Sequence, residues 1–450
     1  MLCKLRFSIL LIIAVLISSS QSKTILIPLT KSYEDGKKYD CFPGDTLLVE
    51  AGRRPAFHLK HFHGSADKKI VVINQGGQVL IGKEHYYGFT IDSCSHLHIT
   101  GTGDPQFKYG FKVDGTASGV GFGIGGLSTN IEVEHMEICS TGFAGIMAKK
   151  DFSGNPPVPP PVFEGLSIHD NYIHDTGGEG MYIGETKSPG MEFKNVRIYN
   201  NLVVRTGWDC FQIANAVEDV EVYNNVFYRG GLEAEQYQQN GFQIGDNTVG
   251  LYYNNIIMHA PGNGFIVMGS GNISIYNNYI QDFQGSAVFI DNRNFTIDNT
   301  SIEVKDNYIC EINAANPMFG VYNELNEVII SGNQLEGSNL MIRFASGAGP
   351  ANVKMTDTSR STVQRISFKD TTNFQLSTGS PYEGLGLLQE GTSSARRPAT
   401  LSNAKVTFTP NRVFTLSGRK TSYTAVSVPG SRCTGLFLDP QKKKRVLNLR

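Results

Sequence analysis

An asparagine recurs through the middle of the chain, at Asn171, Asn201, Asn225, Asn255, Asn278, Asn307 and Asn333, at intervals of 30, 24, 30, 23, 29 and 26 residues. The contexts agree: HDNYI, YNNLV, YNNVF, YNNII, YNNYI, KDNYI and SGNQL. Each asparagine follows an alternating stretch such as Val196-Arg197-Ile198-Tyr199. The early ones precede another: Met181-Tyr182-Ile183, Phe211-Gln212-Ile213, Phe242-Gln243-Ile244, Phe265-Ile266-Val267 and Val288-Phe289-Ile290. Alternation with period two marks strands that bury one face. A repeat of this length marks stacked coils that bury one another. The leucine-rich-repeat signature is missing and no helical periodicity intervenes, which leaves an all-β parallel β-helix. The recurrent asparagine suits a sharp bend, where its amide bonds to its counterpart one coil away and its tolerance of left-handed backbone helps.

Met1–Ser22 carries Lys4 and Arg6, an apolar run from Phe7 to Ile17 and a polar Ser18–Ser22, the three-part pattern of a secretory signal peptide. No stretch is apolar for the roughly 18 residues that a membrane span needs, so the mature chain is expected to be exported and soluble. The near balance of 40 basic and 41 acidic residues hides a split. Residues 396–450 hold twelve basic residues and one acid, whereas residues 23–395 hold 26 basic and 40 acidic. An acidic body of that kind excludes nucleic acid as the partner, because phosphate needs a basic face. The mature cysteines, Cys41, Cys94, Cys139, Cys210, Cys310 and Cys433, have wide spacings and no CxxC. They are expected to be buried thiols rather than zinc ligands or disulfides.

The segments NNYIHDTGGEGMYIGE, NNVFYRGG…NGFQIGDN and NNYIQDFQGSAVFIDN resemble right-handed parallel β-helix proteins of the pectate-lyase-like superfamily. The likeness runs from about Lys23 to Gly386 and includes PGDTLLVEAG (Pro43–Gly52), INQGGQVLIG (Ile73–Gly82) and GLSTNIEVEHMEI (Gly126–Ile138). With the signal pattern at 1–22, the expected organisation is a β-helix over 23–390, a polar linker at 391–403 and a small C-terminal β module at 404–450. Val413–Arg419, Gly435–Leu438 and Lys442–Arg445 are similar to the C-terminal sorting domain of the type IX secretion system of Bacteroidetes, which implies that machinery as a partner. The superfamily contains lyases, glycosidases, epimerases and non-catalytic adhesins, so the resemblance speaks to fold more than to reaction.

Stacking turns the repeat into a site. The fourth residue after each ladder asparagine is Asp175, Arg205, Arg229, His259, Asp282 and Glu311 in six successive coils. The eighth is Glu179, Asp209, Asn263 and Ser286, with Asn240 taking that place after an insertion at Leu232–Gln238. Equivalent residues of neighbouring coils lie about 4.8 Å apart. Glu179 and Asp209 are therefore expected side by side at the edge of an exposed sheet, with Tyr182, Gln212 and Gln243 as its floor and Trp208 projecting beside it. Two carboxylates one rung apart raise each other's proton affinity, which is what an acid–base pair for glycosidic cleavage needs. The strands Glu179–Ile183 and Asp209–Ile213 resemble those of polygalacturonase-type hydrolases, and the resemblance implies catalytic roles for Glu179 and Asp209. The further histidine and Arg-x-Lys motifs of those enzymes are not evident here.

Arg205 and Arg229, in an acidic body, suit a uronate or sulfate group. Lys149 aligns over Gly184 and offers a base for β-elimination, with Arg205 neutralising the sugar carboxylate and Tyr182 donating a proton. The insertions Ser153–Phe163 and Gly230–Asn240 are placed to wall a groove. Glu179, Glu185, Asp209 and Asp246 offer hard oxygens to calcium, but no loop of alternating Asp and Asn marks a site, and no metal or cofactor is expected. The reading is a secreted carbohydrate-active protein that binds an acidic polysaccharide and cleaves it by hydrolysis. The alternatives are a polysaccharide lyase using Lys149 and Arg205, and a non-catalytic carbohydrate-binding or adhesive surface protein.

Overall fold

A computed structural model describes residues 22–388 apart from 84, 153–154, 186–188, 270, 292–299 and 346–351, together with two strands, Leu436–Asp439 and Lys442–Val446. Each regular coil contributes three strands. One coil runs Val162–His169, Tyr172–Thr176 and Met181–Ile183, and the next runs Glu192–Tyr199, Leu202–Thr206 and Phe211–Ile213. They stack parallel and in register, with Leu166 over Val196, Ile173 over Val203 and Met181 over Phe211. The first two faces merge into one sheet of 23 strands, and the third face is a sheet of 12. Among the described residues the helix is one short 3-10 turn, Gly36–Lys38. The architecture is therefore the expected all-β parallel solenoid.

The alternating residues explain the winding. Leu166, Ile168, Ile173, Met181 and Ile183 of one coil, and Val196, Ile198, Val203, Phe211 and Ile213 of the next, point inward and are buried. Each such side chain contributes about 1.5–3 kcal/mol by leaving water. The phenylalanines continue the stack, with Phe211, Phe242 and Phe265 at centroid separations of 4.6 and 4.8 Å.

The corner between the first two faces explains the Asn-Asn doublets. The second asparagine of each is buried and forms the ladder: Asn171 donates to Asn201, Asn201 to Asn225, Asn225 to Asn255, Asn255 to Asn278, Asn278 to Asn307 and Asn307 to Asn333, at 2.9–3.1 Å. The left-handed backbone belongs instead to the residue before it. Asn200, Asn224, Asn254 and Asn277 have φ of 50–56°, as do Asp170 and Asp306. One position thus satisfies the turn and the next satisfies buried amides, so the two demands placed on one asparagine by the sequence fall on neighbours.

Beyond the last coil the chain folds back along the second face. Val363, Phe374, Tyr382 and Leu385 pack on Leu202, Val204, Val226, Ile256, Met258 and Tyr279. Gly384 and Gly386 accept from the Asn224 amide, and the Leu388 N–H donates to Asn200. This strap includes a small antiparallel pair, Phe368–Asp370 with Gln375–Leu376. The chain divides into two compact units, Met1–Arg396 and Arg397–Arg450. In the second, Leu436–Asp439 and Lys442–Val446 pair antiparallel. The expected signal peptide through Gln21, the expected linker, Val413–Arg419 and Cys433 lie outside the described residues. Cys94, Cys139, Cys210 and Cys310 are buried free thiols, and Cys41 is a half-buried one.

Candidate active site

The eighth-residue column forms as expected, at the corner leading into the third face. The Gly180 N–H donates to the Asp209 carbonyl at 3.1 Å, which sets Glu179 and Asp209 on adjacent rungs. From Asp209 onward the column is a second asparagine ladder. Asp209 Oδ1 accepts the Asn240 backbone N–H at 2.6 Å and its side-chain amide at 3.1 Å. Asn240 Oδ1 accepts the same pair from Asn263, and Asn263 Oδ1 accepts the Ser286 N–H. Asp209 is thus the first rung, a carboxyl standing in an asparagine's place. Its Oδ2, where an asparagine would carry its amide nitrogen, has no hydrogen-bond partner, and neither does Oε2 of Glu179.

Both groups are more deeply buried than an exposed sheet edge would leave them: Glu179 is 2% exposed and Asp209 0%. Burial raises the Glu179 carboxyl to about 7, against small opposing effects of its own backbone amide and Lys149. Burial also pushes Asp209 well above the usual carboxylate range; the Asn240 bonds draw it back in part, and Glu179 adds to the rise. The pair therefore stays protonated into the neutral range. The floor is covered as well, with Tyr182, Gln212 and Gln243 at 8%, 1% and 3% exposure. Their side chains point outward, but stacking at about 4.8 Å leaves little of each flank open.

Beside Glu179 lies an aromatic shelf. The Phe143 ring stands edge-on to Trp208 at 5.4 Å and to Tyr182 at 6.4 Å. The Lys149 ammonium sits 4.9 Å from the Tyr182 ring centre and 2.9 Å from Asp151. Burial lowers the proton affinity of Lys149, but Tyr182, Asp151 and Glu185 outweigh it and hold the group above its ordinary value. The insertion after Gly230 is anchored over the shelf by Gly231 N–H to Trp208 and Glu233 N–H to Gly207, leaving Tyr237 exposed at its tip. The sequence does not mark Phe143 as part of this site, nor Glu185 beyond its offer of oxygens to calcium. A signal for Phe143 is present in Gly177-Gly178-Glu179-Gly180, because a Cβ at Gly178 would lie 2.7 Å from the Phe143 ring.

The arginines go elsewhere. Asp175, Arg205, Arg229, His259, Asp282 and Glu311 all have φ of 53–63° and mark a left-handed corner that turns their side chains outward. Arg205 grips Asp175 through Nε and Nη2 at 2.6 and 2.7 Å, which holds that carboxyl down at about 2. Neither arginine pairs with Glu179 or Asp209. With Tyr228, His259 and Gln281, both line a cavity of about 240 Å³ between the second face and the strap residues Ile366, Phe368 and Phe374. The lining includes neither carboxylate of the candidate site. Among the described residues, the groups of three or more side chains able to share a metal ion are Glu137/Cys139/His174 and Glu134/His169/Asp170, and neither includes Glu179, Glu185, Asp209 or Asp246.

No family model matches the chain, and no curated protein does. Among solved structures it is similar to the GH136 lacto-N-biosidase from Eubacterium ramulus, at 12% identity and a TM-score of 0.44 over 75% of this chain and 68% of that one. It is also similar to an alginate lyase from Paenibacillus sp. str. FPU-7, at 14% identity and 0.36 over 74% and 99%. A third is the A-module of the Azotobacter vinelandii mannuronan C-5 epimerase AlgE6, at 13% identity and 0.38 over 71% and 92%. Among the described residues no helix is long and apolar enough to cross a membrane.

Proposed function

We propose that the protein is an exported carbohydrate-active enzyme that cleaves an acidic polysaccharide at the corner between its second and third faces, by glycosidic hydrolysis with Glu179 as the proton donor. The observation that carries this reading is the state of Glu179: a carboxyl raised to about 7 by burial, with one oxygen uncommitted, beside an aromatic shelf and a cation. An acid of that strength keeps its proton near neutrality and still gives it up to a leaving oxygen, which is the balance general acid catalysis favours. The half-buried Phe143 and Trp208 offer apolar surface to sugar rings, and Lys149 offers a positive charge to a uronate or sulfate.

Asp209 takes a different part from the one its alignment implied. Fully buried and committed to Asn240, it caps the second ladder beside Glu179 and helps to close that carboxyl off from water. The second carboxylate of a hydrolase has to reach the sugar, and Glu185, which shares Lys149 with Glu179, is the group assigned that part. Lys149, held above its ordinary proton affinity, suits binding better than proton abstraction, which supports hydrolysis over the β-elimination alternative.

A digest of an acidic-glycan panel analysed by mass spectrometry tests the proposal. New reducing ends without ultraviolet absorbance from unsaturated uronate are expected, and Glu179→Gln lowers turnover by about 100- to 10,000-fold. Unsaturated product would replace hydrolysis with elimination. Binding without product from any glycan would make the protein a carbohydrate-binding surface protein instead.

A further inference from the structure

The first corner carries a second constellation on a different edge of the solenoid. Glu134 and His169 end consecutive first-face strands, and their Cα positions are register partners. The next residues, His135 and Asp170, occupy the left-handed corner, with φ of 53° and 55°. Four side chains with ligand atoms therefore form a two-by-two block on adjacent coils. His169 Nδ1 lies 2.7 Å from Asp170 Oδ2 and 3.7 Å from Glu134 Oε2, and His135 Nδ1 lies 3.1 Å from Glu134 Oε2. The donor atoms of Glu134, His169 and Asp170 all fall within 4.8 Å of one another. Ligands about 2.0–2.1 Å from a tetrahedral zinc ion stand roughly 3.3 Å apart, so these three donors lie within reach of one ion, and His135, bonded to Glu134 Oε2, stands beside them as the fourth.

The atoms facing away from the block are braced. His169 Nε2 meets Glu132 Oε1 at 3.2 Å, and Lys69 holds the other oxygen of Glu132 at 2.6 Å. Glu134 Oε1 meets His98 Nε2 at 2.8 Å. Asp170 Oδ1 accepts from the Asn200 amide. The Tyr199 ring stacks on His169 with centroids 4.5 Å apart and planes within 8°, fixing the orientation of the imidazole. A ligating histidine whose other nitrogen bonds a carboxylate, beside a ligating carboxylate whose other oxygen is held, is the second layer that metal sites use to orient their ligands.

We infer that Glu134, His135, His169 and Asp170 form a binding site for one divalent transition-metal ion, of which zinc fits best. Two imidazoles and two carboxylates favour zinc or cobalt over calcium or magnesium, which take all-oxygen shells. With four protein ligands the shell is closed, which makes the ion structural. It pins two adjacent coils together and displaces the protons that bridge His169 and Asp170. The site is independent of the Glu179 reading.

Metal-stripped full-length protein titrated with Zn2+ by calorimetry at neutral pH tests the inference. One saturable equivalent is expected, with a higher melting temperature, no matching effect of Ca2+ or Mg2+, and a visible d–d band of tetrahedral type when Co2+ replaces Zn2+. His169→Gln and Glu134→Gln each lose that equivalent while keeping the stripped protein's β-sheet circular dichroism. Should either variant lose the fold, Asp170→Asn, at the surface corner, is expected to lose the equivalent in its place. His98→Gln, which removes a brace rather than a ligand, weakens affinity by about 10- to 100-fold. Cys139→Ser, in the separate Glu137/Cys139/His174 group, leaves binding intact. Absence of saturable Zn2+ binding, or binding lost in Cys139→Ser and kept in His169→Gln, overturns the inference.

Discussion

Replacing Glu179 with glutamine is expected to make the protein more stable and less active, with the gain confined to one range of pH. Burial raises the Glu179 carboxyl from 4.5 to about 7. Below about pH 4.5 the group is protonated in the folded and unfolded chains alike, and its titration favours neither. As pH rises from about 4.5 to 7 the unfolded chain releases the proton while the folded chain retains it, so stability falls. Above about pH 7 both states are ionised and the folded state bears the whole penalty. At about 1.4 kcal/mol for each pH unit of that interval, the penalty is on the order of 3 kcal/mol. Glutamine has nearly the same shape and is neutral throughout. With about 2 cal/mol/K of unfolding entropy per residue over roughly 370 residues, the variant melts about 4 °C above the parent at pH 8 and level with it near pH 4. Circular dichroism melts of the two proteins side by side across that range measure the gap, and the comparison avoids assuming that a solenoid unfolds in a single step. A gap that is constant with pH, or that opens toward acid, refutes the claim that burial holds this proton.

Asp209→Asn continues the second ladder, presents an amide N–H to Glu179 and removes a neighbouring acid. The fold is expected to survive, and the alkaline limb of the pH–rate profile moves at least about one unit toward acid; an unchanged profile removes Asp209 from any role in tuning Glu179. Asn255→Ala strips buried bonds to Val222, Tyr253, Asn278 and Asn225, and costs about 3 kcal/mol or more in denaturant midpoints. Asn200→Ala, at the left-handed position, is expected to cost about 1–2 kcal/mol more than Asn200→Gly, since both lose the bonds to Asp170 and Leu388 and only glycine relieves the backbone. Arg205→Ala breaks a half-exposed ion pair worth at most about 1 kcal/mol and leaves kcat/KM unchanged; a loss of turnover there would place the second-face cavity in the reaction path.

The fold was legible because its two signals are local and repeated. Alternation assigned the inward side of Met181–Ile183, Phe211–Ile213 and Phe242–Ile244 without knowledge of distant contacts. The asparagine spacing then set which residues stack, and coil-to-coil register followed down to Lys149 over Gly184, adjacent to the Ala148–Ile183 pairing. The strap over the second face was less legible. Nothing within Phe374–Pro381 says which sheet it covers, because that depends on apolar residues on the outside of the solenoid. Val204 and Met258 there look, in sequence, like any other alternating strand positions.

The candidate site shows where counting residues stops being enough. Counting from the ladder asparagine put Glu179 beside Asp209 and Arg205 beside Arg229, and both adjacencies hold. It could not say which way a side chain faces after a corner, because that depends on the sign of φ four residues on. Positive φ at Asp175, Arg205 and Arg229 throws the arginines outward toward the second face, while the small residues Gly180 and Cys210 let the neighbouring carboxyls settle inward. The same rule explains why the histidine–carboxylate block is silent in the sequence. Glu134-His135 and His169-Asp170 are ordinary dipeptides 35 residues apart, with none of the short ligand spacings that mark a metal site in sequence. In a solenoid the ligand motif runs across the coils instead of along the chain. A search of such a sequence for chemistry therefore has to fold it by its own period first, and then ask which way each corner turns.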